Sequence, residues 1–178
     1  MITRNLIAAI LSHYSLPLGG THGITHWARV LENGQRLAAA TGARMDVAAL
    51  FAVLHDSQRE NEGIDPGHGA RGARLAAHLR GAAFDLDDAG FALLTLACQA
   101  HTDGQTLADV SVQTCWDADR LDLPRVAILV TDEYLCTPTA RDPDLIAWAR
   151  ARAERRHIPE LIWSDWGLVP SDLRPTPS

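Results

Sequence analysis

His55 and Asp56 stand side by side at the end of an apolar run in which Val47, Leu50, Phe51 and Leu54 recur at helical spacing. That recurrence predicts a buried segment. An imidazole and a carboxylate at the end of a buried run are costly unless something pairs them. A divalent cation pairs both, although a satisfied core histidine beside a capping aspartate also accounts for the dipeptide taken alone. Four further candidate ligands are spread along the chain: His26, His68, His101, and Asp117 within the stretch Cys115–Asp122. Each singly fits a structural role. Together, at predicted helix ends and beside apolar faces, they make a mixed nitrogen and oxygen donor set. Two imidazoles with two carboxylates suit Mn²⁺, Fe²⁺, Co²⁺, Ni²⁺ or Zn²⁺, with Mg²⁺ less favoured by nitrogen. A structural zinc site would want a closed, cysteine-rich tetrahedron, and Cys98, Cys115 and Cys136 lack that spacing. A mixed set with open positions points to catalysis.

The elements that must carry these residues are helical. A first amphipathic helix is expected over 2–14, from Ile2, Leu6, Ile7, Ile10 and Leu11. Thr21 or Thr25 is expected to cap a second helix running to about Ala40, with Gly42 as its stop. His22, His26 and Arg29 then align along one side of it. The third helix, about 46–60, holds the His-Asp pair. Asp65-Pro66 supplies a start signal for a fourth, reaching about Arg80 and closed by Gly81. Asp85, Asp87 and Asp88 suit the positive end of a fifth helix, which ends at His101. A short helix over Val112–Leu123 ends at Pro124. Residues 126–136 are apolar and partly β-branched, with an ambiguous local state. Asp142-Pro143 starts a last helix to about Arg156. Trp163 and Trp166 are expected to anchor a C-terminal tail, 161–178, onto a body of 1–160, and the Pro/Ser-containing end to fray. No alternating β-branched run and no Asn-Gly hairpin occurs. The expected class is all-α, in a single domain.

Taken in order, His26-Trp-Ala-Arg29-Val30, then Leu54-His55-Asp56, then His101, then Trp116-Asp117-Ala-Asp-Arg-Leu121 resembles the HD-domain superfamily of metal-dependent phosphohydrolases. The resemblance covers about residues 20–125. The phrases around His22–Val30 and Asn61–Ala73 are similar to a bacterial subgroup rather than to a branch with an assigned substrate. The resemblance implies an HD-domain-like helical bundle whose first-sphere ligands are His26, His55, Asp56 and Asp117. It also implies hydrolysis of a phosphate mono- or diester of a small molecule, nucleotides included, through metal-activated water. On that reading Asp56 also orients the water. His101 and His68 contact the phosphate or protonate the leaving oxygen, as imidazole titrates near neutrality. Arg29 and Arg59 are matched to non-bridging oxygens by their guanidinium forks. Several nucleotide-hydrolysing members carry an acidic residue three or four positions after the HD aspartate. Here those positions hold Arg59 and Glu60, so Glu60 is the candidate general acid or base.

The structural alternatives are equally concrete. Arg29 can pair with Glu32 or Asp56, Asp119 and Arg120 read as a solvated or interhelical pair, and His68 as a loop residue. Two other functions also compete with a hydrolase. One is a non-catalytic metal- and nucleotide-binding HD module; the other is an oxygen-dependent di-iron HD enzyme, which needs further inward ligands that His68 and His101 can supply.

Composition narrows the partners. The chain has 178 residues, enough to bury a core without staples. All 16 basic residues are arginines against 22 acidic ones, and no basic run occurs to neutralise a long nucleic acid. A few inward arginines still suffice for a small phosphorylated ligand. Three unpaired cysteines argue against a disulfide framework and for a reducing cytoplasm. No apolar run approaches a membrane span and no signal-peptide pattern opens the chain.

Overall fold

The computed structural model describes residues 2–174. Its α-helices are α1 Arg4–Leu11, α2 Ile24–Thr41, α3 Met45–Leu54, α4 His68–Leu79, α5 Asp88–Ala100, α6 Val110–Arg120, α7 Pro143–Glu154 and the single turn α8 Leu161–Ser164. Among the described residues there is no strand, only an isolated bridge between Arg80 and Phe84. The protein is all-α and forms one compact domain.

α3 is the axis of the bundle. Its sequence is apolar on nearly every side, which suits a helix surrounded by others rather than one with a solvent face. It packs on α2, α4, α5 and α6, and α1 closes over it. Phe51, Val53 and Leu54 are fully buried, together with Trp27 of α2 and Leu94 of α5. Two side-chain hydrogen bonds tie α6 into this core: Asn33 Nδ2 donates to Ala118 O at 2.9 Å and Trp116 Nε1 to Ala97 O at 3.1 Å.

Several boundaries follow the local signals. Gly42 ends α2 at φ 74°, and Gly81 follows α4 at φ 80°. Asp87 caps α5 by accepting from Gly90 N, and Asp142 caps α7 with Pro143 in its first turn. Ile162 and Trp166 lie buried in the common core, and Trp163 packs partly buried against it. The last residues of the Pro/Ser end, 175–178, lie outside the described residues.

Other boundaries are corrected, each with a local cause. α3 stops at Leu54, not near 60, because Ser57 Oγ takes the Leu54 carbonyl at 2.8 Å and Arg59 N closes a tight turn on Asp56 O. Those turns swing Asp56 and Arg59 inward. Neither threonine caps α2; Gly23 stands at its N-cap, and Ile24 N donates instead to Leu18 O across a glycine-rich loop. Asp65 does not cap α4. Its carboxylate accepts from Glu60 N and Arg71, while Gly67 occupies the cap. Residues 126–136 resolve into irregular chain with one 3₁₀ turn, Asp132–Tyr134.

Candidate metal centre

Five helix ends and one turn deliver the site. His26 lies in the first turns of α2, His55 caps the C-terminus of α3, and Asp56 follows it in the turn. His68 opens α4, His101 caps the C-terminus of α5, and Asp119 lies near the end of α6. Two glycines let α4 approach closely. A side chain at Gly69 would collide with Cys98 O and crowd the His101 ring, and one at Gly72 would collide with Leu54 O. The stripe Gly69, Gly72 therefore brings His68 against His101.

All four imidazoles are anchored in the same way. Nδ1 of His55 faces Phe51 O at 3.1 Å and Nδ1 of His101 faces Cys98 O at 2.8 Å; Nδ1 of His68 faces Asp65 O. Nδ1 of His26 meets Asp122 Oδ2 at 2.8 Å. A carbonyl or carboxylate oxygen only accepts, so each Nδ1 carries the proton. In the neutral ring each Nε2 then presents a lone pair to the interior. Outer hydrogen bonds of this kind orient metal-binding histidines.

The four Nε2 atoms meet in pairs, His26 with His55 at 3.1 Å and His68 with His101 at 2.8 Å. Two lone pairs cannot hydrogen-bond each other, so each contact requires a proton or a cation between the rings. Asp56 sits between the pairs. Its Oδ2 lies 3.5 Å from His26 Nε2 and 3.7 Å from His55 Nε2. Its Oδ1 lies 3.0 Å from His68 Nε2 and 3.7 Å from His101 Nε2, yet this buried oxygen makes no hydrogen bond. Asp119 Oδ1 completes the first pair, 3.4 Å from His26 Nε2 and 3.7 Å from His55 Nε2.

These separations are those of ligands around an ion. Donors about 2.1 Å from a shared cation lie ~3.0 Å apart at a right angle and ~3.4 Å apart at the tetrahedral angle. His26, His55 and Asp119 form one such group, and His55, Asp56 and His101 another. The charges agree. Burial holds His55 far down, at about 3, against the opposing pull of Asp56 and Asp119, so this ring is neutral at pH 7. Burial pushes Asp56 up, but the surrounding imidazoles outweigh it and hold the carboxyl well below the usual range. For Asp119 too, the imidazoles outweigh burial and lower it. Burial pushes His101 down, but Asp56 and Asp119 outweigh it and draw this ring up, so protons on the rings or a divalent cation in their place balance the two carboxylates.

The structure assigns the carboxylate of α6 differently from the sequence expectation. Asp117 does not join the cluster. It accepts from Cys136 N at 2.6 Å, Thr137 N at 2.9 Å and Thr137 Oγ1 at 2.7 Å, and so fastens the 135–137 segment to α6. Asp119, expected to pair with Arg120, turns inward instead, while Arg120 reaches Tyr134 O and Gln105 O. The helical wheel contains the signal. Asp119 falls in line with Val112, Cys115 and Trp116, which meet the bundle core, whereas Asp117 falls in line with Thr114 and Arg120 on a side that is also buried.

His101 was expected on the phosphate-facing wall, but its Nε2 lies among the donor atoms. Arg29 was expected there too, or paired with Glu32 or Asp56. It makes a two-pronged pair with Asp122, Nε to Oδ1 at 2.7 Å and Nη2 to Oδ2 at 3.0 Å, while Glu32 pairs with Arg152. Asp122, unremarked in the sequence, thus links Arg29 to His26. Glu60 stays outside: its side chain is 72% exposed, 3.5 Å from Arg71. Arg59 is buried at the site. It donates Nε to Asn61 O and Nη2 to Gly63 O, leaving Nη1 3.5 Å from Asp56 Oδ1 and 3.3 Å from His68 Nε2. The Tyr14 hydroxyl is also buried without a partner, and its pKa is raised by burial with help from Glu62 and Asp56.

Comparison with protein-family models, curated proteins and solved structures finds no match for this chain.

Proposed function

We propose that the protein is a metal-dependent phosphohydrolase of the HD-domain superfamily, acting on a small phosphorylated compound at a two-ion centre. One observation carries the reading. Four inward Nε2 atoms and the carboxylates of Asp56 and Asp119 gather with neighbour separations of 2.8 to 3.7 Å, and a buried oxygen of Asp56 makes no hydrogen bond among the described residues. His26, His55 and Asp119 would hold one ion, His68 and His101 the other, and Asp56 would present one oxygen to each. Divalent cations in such a site supply Lewis-acid polarisation of a phosphoryl oxygen and acidify water at neutral pH.

The chain's own residues do the rest. Asp122 holds the proton on His26 Nδ1, keeping Nε2 free for the cation. Arg59 Nη1, fixed by the two other hydrogen bonds of its guanidinium, is placed to hold a non-bridging phosphoryl oxygen. Asp119 keeps 14% of its side chain exposed whereas His26 and His55 are sealed, so substrate enters from the Asp119 side. A water-activating ligand set favours an enzyme over a non-catalytic module.

The participation of His68 and His101 favours one second reading, an oxygen-dependent di-iron enzyme, because imidazole-rich sites suit iron. The test is elemental analysis of protein purified without chelator, followed by two assays. Hydrolysis of phosphomonoesters or phosphodiesters that is lost on chelation and restored by metal supports the first reading. Oxygen consumption by the Fe²⁺-loaded protein with a phosphorus-containing substrate, in the absence of hydrolysis, would replace it with the second.

A further inference from the structure

A cavity lies outside the metal cluster, behind Asp122. It is a cleft of about 170 Å³ lined by Arg29, Arg125 and Arg156, with Thr21, Thr25 and the Gly19-Gly20 backbone among its other walls. The chain carries a net charge of −6, yet no aspartate or glutamate lines this cleft. Arg29 is neutralised by Asp122, which also lies 3.8 Å from Arg125 Nε. One carboxylate thus faces two of the three guanidinium groups that line the cleft. Arg125 spends Nε on Thr21 O and Nη1 on Asp122 O, leaving its other terminal nitrogen without an acceptor among the described residues. Arg156 has neither an ion-pair nor a hydrogen-bond partner for its side chain among the described residues.

Two backbone features point the same way. The N-terminus of the 18-residue helix α2 borders the cleft through Thr25, with no acidic residue in its first turn and no side-chain cap, while Ile24 N and His26 N already donate to Leu18 O and Gly23 O. Helix starts of this kind favour anions. Arg156 itself sits at φ 48°, two residues beyond the end of α7, in the left-handed region where glycine is the usual choice. Arginine there carries a conformational penalty that glycine would avoid. The turn it makes also delivers His157 O to Arg29 Nη1 at 2.9 Å.

We propose that this cleft is an oxyanion-binding site for a phosphate group, held by Arg125 and Arg156 against the start of α2. The proposal stands on the cleft's own charge and not on the reaction proposed above. The phosphate has two candidate sources, a distal group of the substrate or a separate small anion. Guanidinium chemistry recognises both alike.

The test titrates inorganic phosphate into the full-length protein stripped of metal, so that binding to a metal ion plays no part, with chloride at matched ionic strength as the control. Saturable binding is expected, weakened at least tenfold in Arg156→Gly. That variant removes the guanidinium while relaxing the left-handed backbone, so its melting temperature is expected to stay level or rise. His55→Ala is expected to leave phosphate binding unchanged. Absence of saturable binding, undiminished affinity in Arg156→Gly, or loss of binding in His55→Ala alone would overturn the proposal. A short organic bisphosphate added to metal-loaded protein separates the sources. Affinity above that of inorganic phosphate, lost in Arg156→Gly, assigns the site to the substrate's distal phosphate; equal affinity assigns it to a separate anion.

Discussion

Alanine at Asp117 and at Asp119, two residues apart on α6, should damage the protein in opposite ways. Asp117→Ala strands two backbone N–H groups and the Thr137 hydroxyl, whose hydrogen bonds to the carboxylate measure 2.6, 2.9 and 2.7 Å. Hydrogen bonds to a charged acceptor are worth about 1.5–3 kcal/mol each. Burial already pushes the Asp117 carboxyl up from its ordinary range, and removing it relieves that strain. A net loss of about 3 kcal/mol is the result, and a domain of this size loses ~3 °C per kcal/mol, so the melting temperature should fall by about 9 °C. Asp119 accepts no hydrogen bond among the described residues and meets only the His26 and His55 rings, at 3.4 and 3.7 Å. Asp119→Ala should therefore leave the metal-stripped protein within about 1 kcal/mol of its parent, while the metal-loaded form loses an ion. Circular-dichroism melts in chelator, paired with elemental analysis of untreated protein, read both effects. An unchanged melting temperature with lost metal in Asp117→Ala, or full metal content in Asp119→Ala, would refute this division of roles.

Other perturbations test neighbouring parts of the argument. Gly72→Ala should force α4 away from Leu54 O, cost about 1–3 kcal/mol by overpacking, and lower metal content because His68 moves with the helix; calorimetry and elemental analysis report the two effects. Arg29→Ala leaves Asp122 buried without its cation and should destabilise the protein by about 3–5 kcal/mol, measured by urea unfolding; a loss under 1 kcal/mol would show that Asp122 is compensated elsewhere. Arg44 pairs with Asp46 and Asp87 at 2.6 Å each, and its guanidinium holds both carboxyls below their ordinary value. Stability from that pair is present above about pH 4, the unfolded carboxylate value, and lost as pH falls through the lower folded values. Arg44→Gln should accordingly flatten the acid limb of the stability–pH curve, and a curve of unchanged shape would count against the pairing.

Much of this was legible from spacing. The apolar period of α3, the glycine stops at Gly42 and Gly81 and the aspartate caps at Asp87 and Asp142 are local signals, and local chemistry decides them. His26, His55, Asp56, His68 and His101 could likewise be singled out by residue type and by their place at helix ends. What spacing left open depended on contacts across the chain. Asp117 and Asp119 differ only in which face of α6 meets α2 and α3, and the loop at 135–137 claims the first. Arg29 could be read as a phosphate ligand or as a partner of Glu32 or Asp56, but not as the partner of Asp122, 93 residues away. The end of α3 moved because Ser57 competes for a helix carbonyl, which intrinsic propensity describes only weakly. The close approach of His68 to His101 was encoded in Gly69 and Gly72, residues that look like helix-weakening choices until α5 is placed against the first and the end of α3 against the second.

The most direct measurement is anomalous diffraction, at the absorption edge of whichever metal elemental analysis identifies, from crystals of protein never exposed to chelator. The account predicts two peaks, one bounded by His26, His55 and Asp119 and one by His68 and His101, with Asp56 facing both. A map with no peak among these residues, or with its peak beside Asp117, would contradict it.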